Sequence, residues 1–155
     1  MKAIWLDSGK NISAEELNSQ GVTYEQMDTN EATYKAPLEK VMKERGYVTM
    51  DQVGMKADMP NFDALCQKFV GEHLHTDDEV RFLLEGSGVF EIRSGDDRWM
   101  KVIVEKGDFI LVPANRFHRF YLTDEKRIQC VRLFKDQSGW TPLYRKDLET
   151  TGASK

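Results

Sequence analysis

The chain has 155 residues, with 22 basic and 26 acidic side chains, so its formal net charge at pH 7 is −4. This length fits one domain with a sizeable hydrophobic core. The acidic balance argues against nucleic-acid binding, and no apolar run reaches the roughly 18 residues of a membrane helix. We therefore expect a single domain over residues 1–155, and the modest apolar content favours a monomer.

The cysteine content and the first residues bear on the compartment. The start, "MKAIWLDSGK", has a lysine but no apolar run behind it, unlike a secretory signal peptide. Cys66 and Cys130 lie far apart in apolar or mixed segments, which is more typical of buried thiols in a reducing compartment than of a disulfide. We expect a cytoplasmic protein, and also a nuclear one if the source is eukaryotic.

Residues 1–69 have a mixed and largely helical pattern. In "SAEELNSQGV", Ser13 is a candidate N-cap and Glu16 its capping-box partner. In "APLEKVMKERGY", Pro37 lies near the expected start of a second helix and Gly46 at its end. The apolar residues of "NFDALCQKFV" recur at spacings of three and four, which predicts an amphipathic third helix.

From residue 70 the pattern changes to short β-rich runs divided by turn signals. "EVRFLLE", Gly-Ser-Gly and "VFEIR" predict a hairpin. "WMKVIVE" and "FILVP" predict another strand pair, and "HRFYL" and "IQCVRLF" complete the series. Strands at this spacing favour an antiparallel sandwich or barrel, which we place at residues 70–147. We expect residues 148–155 to fray.

Two of the chain's three histidines lie one residue apart beside several acids. Alternate side chains of an extended strand share a face, so His73, His75, Glu79 and Arg81 point the same way. Imidazole nitrogens and a carboxylate oxygen suit a first-row transition metal. The alternative is a solvated acidic loop with histidines on the surface.

The third histidine, His118, follows "KGDFILVPANRF" at the turn into the next strand. Strands distant in sequence face each other across a barrel, so His118 can supply a ligand from the opposite wall. The motif His-x-His-x3-Glu is followed by Gly86, and later by Gly107, Pro113 and His118. These specific spacings favour the metal site over the solvated loop.

The spacings resemble the two motifs of the cupin superfamily, whose small β-barrels hold a metal with three histidines and one glutamate. The closer resemblance is to the acireductone dioxygenase family. It rests on "EHLHTDDEVR" and its Gly-x-Gly, on "EKGD" with Pro113 and His118, and on "RLF" with Trp140. It covers Gly46 to Tyr144 and, more loosely, "LNSQGVTYEQMD". It implies a mainly β fold, a cupin-type antiparallel β-barrel (double-stranded β-helix) with an α-helical N-terminal portion.

The resemblance also implies roles for individual residues. The metal ligands would be His73, His75, Glu79 and His118. Arg81 matches an arginine that helps to form the substrate dianion, although an ion pair with Glu79 would also explain it. Glu72 and Asp78 match acids that assist metal incorporation; on their own they are typical of solvated rim residues. Trp140 matches a tryptophan that relays conformational change, and an anchoring role for its ring is the alternative.

The sequence departs from the general cupin pattern at two glycine positions. Asn115 stands at one of them, and asparagine tolerates the left-handed backbone conformation that glycine would supply. Gln67 stands at the other, six residues before the first histidine. The departure at Gln67 weakens the likeness to the superfamily slightly and the likeness to the narrower family hardly at all.

Two further residues are candidates for the substrate pocket. Phe120 shares a face with His118, where it would contact an apolar substrate chain, although core packing explains it equally well. Arg132 lies on an apolar face of "IQCVRLF". A contact with substrate and a salt bridge to a buried acid are equally good explanations for Arg132.

The function implied by the resemblance is cleavage of acireductone (1,2-dihydroxy-3-keto-5-methylthiopentene) with O2 in methionine salvage, using one Fe(II) or Ni(II) per chain. The iron form implies 4-methylthio-2-oxobutanoate and formate as products; the nickel form implies methylthiopropionate, formate and CO. The ligand set does not name the metal. The alternatives are another metal-dependent cupin enzyme and a non-catalytic cupin that binds a partner or a sugar. A eukaryotic member would also be compatible with a protein partner.

Overall fold

The structure is a computed structural model that describes residues 2–135 and 142–150. Its strands are β1 Lys2–Trp5, β2 Thr23–Gln26, β3 Thr49–Lys56, β4 His73–Leu74, β5 Glu79–Arg93, β6 Trp99–Glu105, β7 Asp108–Val112, β8 His118–Leu122, β9 Arg127–Phe134 and β10 Leu143–Tyr144. Its helices are α1 Ala14–Ser19, α2 Glu31–Arg45, α3 Phe62–Val70 and α4 Arg145–Thr150. None of the described helices is both long enough and apolar enough to span a bilayer.

All strand pairs are antiparallel, and two sheets share the long strand β5. One sheet has the order β1-β6-β5-β8-β4-β10, and the other runs β2-β7-β5-β9-β3. The first half of β5 pairs with β7 and β9, and the second half with β6 and β8. Within the described residues the ladder of hydrogen bonds does not close into a ring. The expected barrel is therefore an open pair of sheets with a mainly β core.

The predicted hairpin at Gly-Ser-Gly is wrong, because β5 continues through these residues without a turn. A shift in register between Leu83 and Glu85 marks a β-bulge, and Gly86 has a φ of 79°. A Cβ on Gly86 would collide with the backbone of Arg127 on β9. Glycine is therefore required at position 86 because two strands approach closely there. The bulge redirects β5 from one sheet into the other.

The bulge also reverses which side chains of β5 face the interior. Before it, Val80 and Phe82 pack against Tyr34 of α2, whose ring centroid is 5.1 Å from that of Phe82. After it, Phe90 and Ile92 belong to the core between the two sheets. The described residues therefore form two apolar clusters, and the cluster between the sheets is next to the histidines.

The N-terminal portion contributes more strands than its helical pattern indicated. Strands β1, β2 and β3 add to the outer sides of β6, β7 and β9 respectively. Strand β3 lacks a clean apolar alternation and contains Gly54, which explains why periodicity did not reveal it. The strands predicted around Lys-Gly-Asp are present as β6 and β7, but each pairs with a different half of β5 rather than with the other.

The helices follow their capping signals. The Ser13 capping box at α1 is confirmed, with the amide of Glu16 donating to Ser13 Oγ at 3.0 Å. Helix α2 begins earlier than predicted because Asn30 caps it, which leaves Pro37 inside the helix; it ends as expected at Gly46, with φ at 76°. Helix α3 is present as predicted. Helix α4 continues to Thr150, and residues 151–155 lie outside the described residues, so the frayed tail expected over residues 148–155 stays a prediction.

Candidate metal centre and substrate cavity

The fold brings all three histidines together. His73 on β4 and His118 at the start of β8 are register partners, and their ring centroids are 4.6 Å apart. His75, just after β4, lies 5.1 Å from the ring of His73 and 5.4 Å from that of His118. One nitrogen from each ring lies within 4.8 Å of the others, and all three side chains are buried. The alternative of histidines on a solvated loop is therefore wrong.

Backbone carbonyls orient two of the rings. The Nδ1 of His73 is 2.6 Å from the carbonyl oxygen of Gly71, and the Nδ1 of His118 is 3.0 Å from that of Arg116. A carbonyl only accepts, so each Nδ1 carries the proton and donates. Each Nε2 then keeps its lone pair free for a metal, the usual arrangement behind a ligand histidine.

Glu79, the first residue of β5, completes the group. Its Oε2 lies 2.8 Å from Nε2 of His118, and its Oε1 lies 3.1 Å from Nη2 of Arg81. Both Oε2 of Glu79 and Nε2 of His118 are buried without a well-aligned hydrogen bond. Two buried acceptor atoms that face each other without a proton between them indicate a position for a cation.

The protonation states also fit a metal. Burial, reinforced by the neighbouring His118, lowers the pKa of His73 to about 4. Burial alone would raise the pKa of Glu79, but the charge of Arg81 and the contact with His118 hold it well below its usual range. At neutral pH His73 is neutral and Glu79 is ionised, which are the forms that bind a divalent ion.

Arg81 lies beside this group but is not free of it. Its guanidinium pairs with Glu79 and donates from Nη1 to the carbonyl of Val80 at 2.8 Å. The ion pair considered from the sequence is therefore present. Arg81 also lines the two cavities that reach the histidines, so a role toward substrate stays a prediction.

Glu72 and Asp78 are both engaged by other protein groups. Glu72 accepts from Nε of Arg93 at 3.0 Å and from Nη1 of Arg145 at 2.9 Å. Asp78 accepts from the hydroxyl of Tyr47 at 2.6 Å. Neither acid is a freely solvated rim residue. A role in metal incorporation stays a prediction, and Trp140 lies outside the described residues.

An apolar cavity of about 320 Å³ opens from the metal-binding group. His73, Glu79 and Arg81 form its polar end. Its apolar walls are Val53, Met55, Leu65, Phe69, Phe90, Phe120 and Ile128. The ring of Phe120 packs 4.8 Å from that of Phe90, so this residue belongs to the cavity wall and to the core at once.

A smaller cavity of about 110 Å³ reaches His75 from the other side. Arg132 lines both cavities and makes a bidentate ion pair with Asp51 of β3, at 2.9 and 2.7 Å. Asp51 is only partly buried. The salt bridge is thus present, and the position still allows contact with a ligand, so that contact stays a prediction.

Lys68 is a residue that sequence reasoning missed. It lies in the last turn of α3 and lines both cavities. Among the residues that the structure describes, none forms an ion pair with its ammonium group. The signal was available, because Lys68 is one helical turn after Leu65 and directly before Phe69, within the face that covers the cavity.

The Asn115 departure from the general cupin pattern is harmless. Its φ is 61°, in the left-handed region that the sequence led us to expect. Its amide donates to the carbonyl of His75 at 2.8 Å. The turn before β8 is therefore hydrogen-bonded directly to the segment that carries two of the candidate ligands.

Comparison with known proteins agrees with this geometry. Curated acireductone dioxygenases from Heterostelium pallidum and Dictyostelium discoideum are 43% and 42% identical over 94% of this chain, and cover 98% and 99% of their own lengths. The Homo sapiens acireductone dioxygenase is 36% identical over 90% of this chain and 78% of its own. A solved acireductone dioxygenase from Bacillus anthracis, with a cadmium ion in its active centre, superposes with a TM-score of 0.86 at 30% identity, covering 92% of this chain and 97% of the other.

The resemblance seen in the motifs thus extends to most of the chain. The model of the ARD/ARD′ family matches residues 5–142, which include every candidate ligand and both halves of β5. The chain belongs to the ARD/ARD′ family.

Proposed function

We propose that this protein is a metal-dependent dioxygenase that cleaves acireductone with O2, as a monomer in the cytoplasm and as a step of methionine salvage. One observation carries the proposal. Three buried imidazoles and the Glu79 carboxylate converge at the polar end of an apolar cavity, with acceptor atoms left unsatisfied. A substrate with an anionic, chelating head and an apolar tail matches both ends.

The metal would be held by His73, His75, Glu79 and His118. When bound, a divalent ion supplies a Lewis acid and a template for two oxygens of the ene-diolate. Imidazole and carboxylate donors accept several first-row metals. We propose one Fe(II) or Ni(II) per chain, with the keto acid and formate as products of the iron form, and methylthiopropionate, formate and CO as products of the nickel form.

Arg81 provides fixed positive charge next to the substrate head. A guanidinium carries a fixed positive charge, so Arg81 would stabilise the ene-diolate without exchanging a proton. The contacts with Glu79 and the Val80 carbonyl hold it in place before substrate arrives. Because the group is oriented in advance, little reorganisation is needed as charge develops on the substrate.

The aromatic walls bind the tail and exclude water from the head. Phe69 of α3 and Phe120 of β8 contact edge to face, with ring centroids 6.4 Å apart. The methylthioethyl tail would lie against Phe120, two residues from the ligand His118. The exclusion of water strengthens the charge interactions at the polar end of the cavity.

Product analysis tests the proposal. The protein is stripped of metal, reloaded anaerobically with Fe(II), given acireductone generated in place and then exposed to air; His118→Ala and a protein-free sample are the controls. Keto acid and formate well above both controls are expected. Tight iron binding without turnover would instead favour another metal-dependent cupin enzyme. A protein that takes up no metal would favour a non-catalytic binding module.

A further inference from the structure

The apolar cavity is larger than the substrate proposed above requires. A cavity of about 150 Å³ holds benzene, which is about 25 Å³ for each non-hydrogen atom. By that measure the ten non-hydrogen atoms of acireductone need about 250 Å³. The cavity offers about 320 Å³. The excess is room for about three more atoms in the tail.

Phe120 forms the wall against which a longer tail would extend. It follows the ligand His118 by two residues on β8, so both side chains point into the space between the sheets. Its ring touches Phe90 on one side and Phe69 on the other, at 4.8 and 6.4 Å between centroids. The position of this ring therefore sets how much of the cavity is open.

A glycine lies directly behind the ring. A Cβ on Gly88 would lie 2.5 Å from Cε2 and 2.6 Å from Cζ of Phe120. The backbone of Gly88 is fixed between Val104 of β6 and Leu122 of β8. The φ of Gly88 lies outside the left-handed region, so alanine meets no backbone strain there. The ring, and not the strand, would have to move, and it would move toward the cavity.

We infer that Gly88 determines the tail-length selectivity of this chain, and that the protein turns over acireductones whose apolar tail is about three atoms longer than methylthioethyl. The absent side chain at Gly88 lets the Phe120 ring lie back against β5 and keeps the far part of the cavity open. Gly88 acts through Phe120 and touches no substrate itself. This inference rests on the proposed function.

The test compares methylthioethyl and butylthioethyl acireductones with the Fe(II)-loaded protein. Each buried methylene is worth about fourfold in kcat/KM, so the wild-type protein should use the butylthioethyl substrate at least as well. Gly88→Ala should lower the ratio of the two kcat/KM values at least tenfold. Phe120→Leu, which widens the cavity, should keep the ratio or raise it. Gly95→Ala is the matched control, since its added methyl group meets only Gln20 Oε1, at 3.7 Å.

A second measurement does not depend on turnover. Affinities of straight-chain 2-oxo acids of increasing length are measured by calorimetry on the anaerobic Fe(II) protein, and Gly88→Ala should weaken the longer acids selectively. The inference is overturned if wild-type kcat/KM falls more than tenfold for the longer tail, or if Gly88→Ala affects both lengths equally. If no acireductone is turned over while the 2-oxo acid series still depends on Gly88, the proposed function fails and the role of Gly88 stands.

Discussion

Replacing Glu72 with glutamine separates two roles for an acid that directly precedes the candidate ligand His73. In the structure its carboxylate accepts from Arg93, at 3.0 and 3.4 Å, and from Arg145, at 2.9 Å. The backbone of Arg145 also donates to the Glu72 carbonyl at 3.0 Å. Glu72 thus joins β4, the end of β5 and the start of α4. We call these contacts of Glu72 with Arg93 and Arg145 the clamp. We expect Glu72→Gln to weaken the clamp and lower the free energy of unfolding without altering the candidate metal site.

The expected magnitude follows from the exposure and number of the contacts. The Glu72, Arg93 and Arg145 side chains are 20%, 23% and 26% exposed, so solvent screens their pairs only in part. A hydrogen bond to a charged group contributes about 1.5–3 kcal/mol and a neutral one about 0.5–1.5 kcal/mol. Glu72→Gln removes the negative charge that the Arg93 and Arg145 guanidinium groups share, while both of these groups stay charged. With some screening, this should lower the free energy of unfolding by about 1–2 kcal/mol.

The assay is urea unfolding of the metal-free protein at pH 7, with Glu85→Gln as the matched control. Glu85 pairs with Arg127 on the surface, where the two side chains are 53% and 47% exposed, and such pairs contribute little.

Burial raises the pKa of Glu72, but Arg93 and Arg145 outweigh it and hold the pKa below its ordinary value of 4.5. A lowered pKa means that this stabilisation is present above pH 4.5 and lost as the pH falls further.

The difference between wild type and Glu72→Gln should therefore vanish in acid. The reasoning is refuted if Glu72→Gln is as stable as wild type at pH 7 and instead takes up Fe(II) more slowly. That result would give the carboxylate the role in metal incorporation that the family resemblance implies, and would leave the clamp without energetic weight.

Three other predictions concern the site. His118→Ala should retain no iron by elemental analysis, whereas Arg81→Met should retain it and lose about 10²–10³ in kcat; normal turnover by His118→Ala would disprove the ligand assignment. Lys68→Met should lower kcat/KM severalfold because the ammonium group attracts an anionic substrate. The decrease should become smaller at high salt, which screens this attraction. A decrease that does not depend on salt, or that Lys68→Arg shows as well, would contradict this. The pKa of His73 is lowered from 6.5 to about 4, so its neutral form contributes stability above pH 6.5 that is lost as the pH falls toward 4. Urea unfolding of the metal-free protein between pH 7 and pH 4 should show that this residue accounts for about 3 kcal/mol of the loss in free energy of unfolding. An identical loss in His73→Gln would contradict this prediction.

The cluster of candidate metal ligands was predictable in part because much of its signal is local. The sequence predicted one extended strand with His73, His75 and Glu79 on the same face. The structure brings them together even though a bend at residues 76–77 separates β4 from β5. His118 required an assumption about topology, that a distant strand returns to the same place. The register pairing of His73 with His118 supplies what the spacing could not.

The rest of the fold depended on interactions that leave little trace in one sequence. The Gly-Ser-Gly segment has the composition of a turn, yet a close approach to Arg127 explains Gly86 and a ring contact with Phe120 explains Gly88. Strand β3 is polar and interrupted by Gly54, and it forms because it pairs with β9. The helical spacing of Lys68 relative to Leu65 and Phe69 indicated the face of α3 on which it lies, but only the packing of α3 on the sheets shows that this face lines the cavities.

The central strand has a consequence for how this protein is made. In the part of the chain that the structure describes, β5 pairs with β6, β7, β8 and β9, and each of these strands follows it in sequence. During synthesis β5 therefore has no partner until β6 has left the ribosome, and its set of partners is incomplete until the sequence as far as Phe134 has been released. Unpaired strand edges of a half-made sheet are sites of aggregation. Soluble yield should consequently respond to slower translation and lower temperature more strongly than the stability of the finished molecule would indicate.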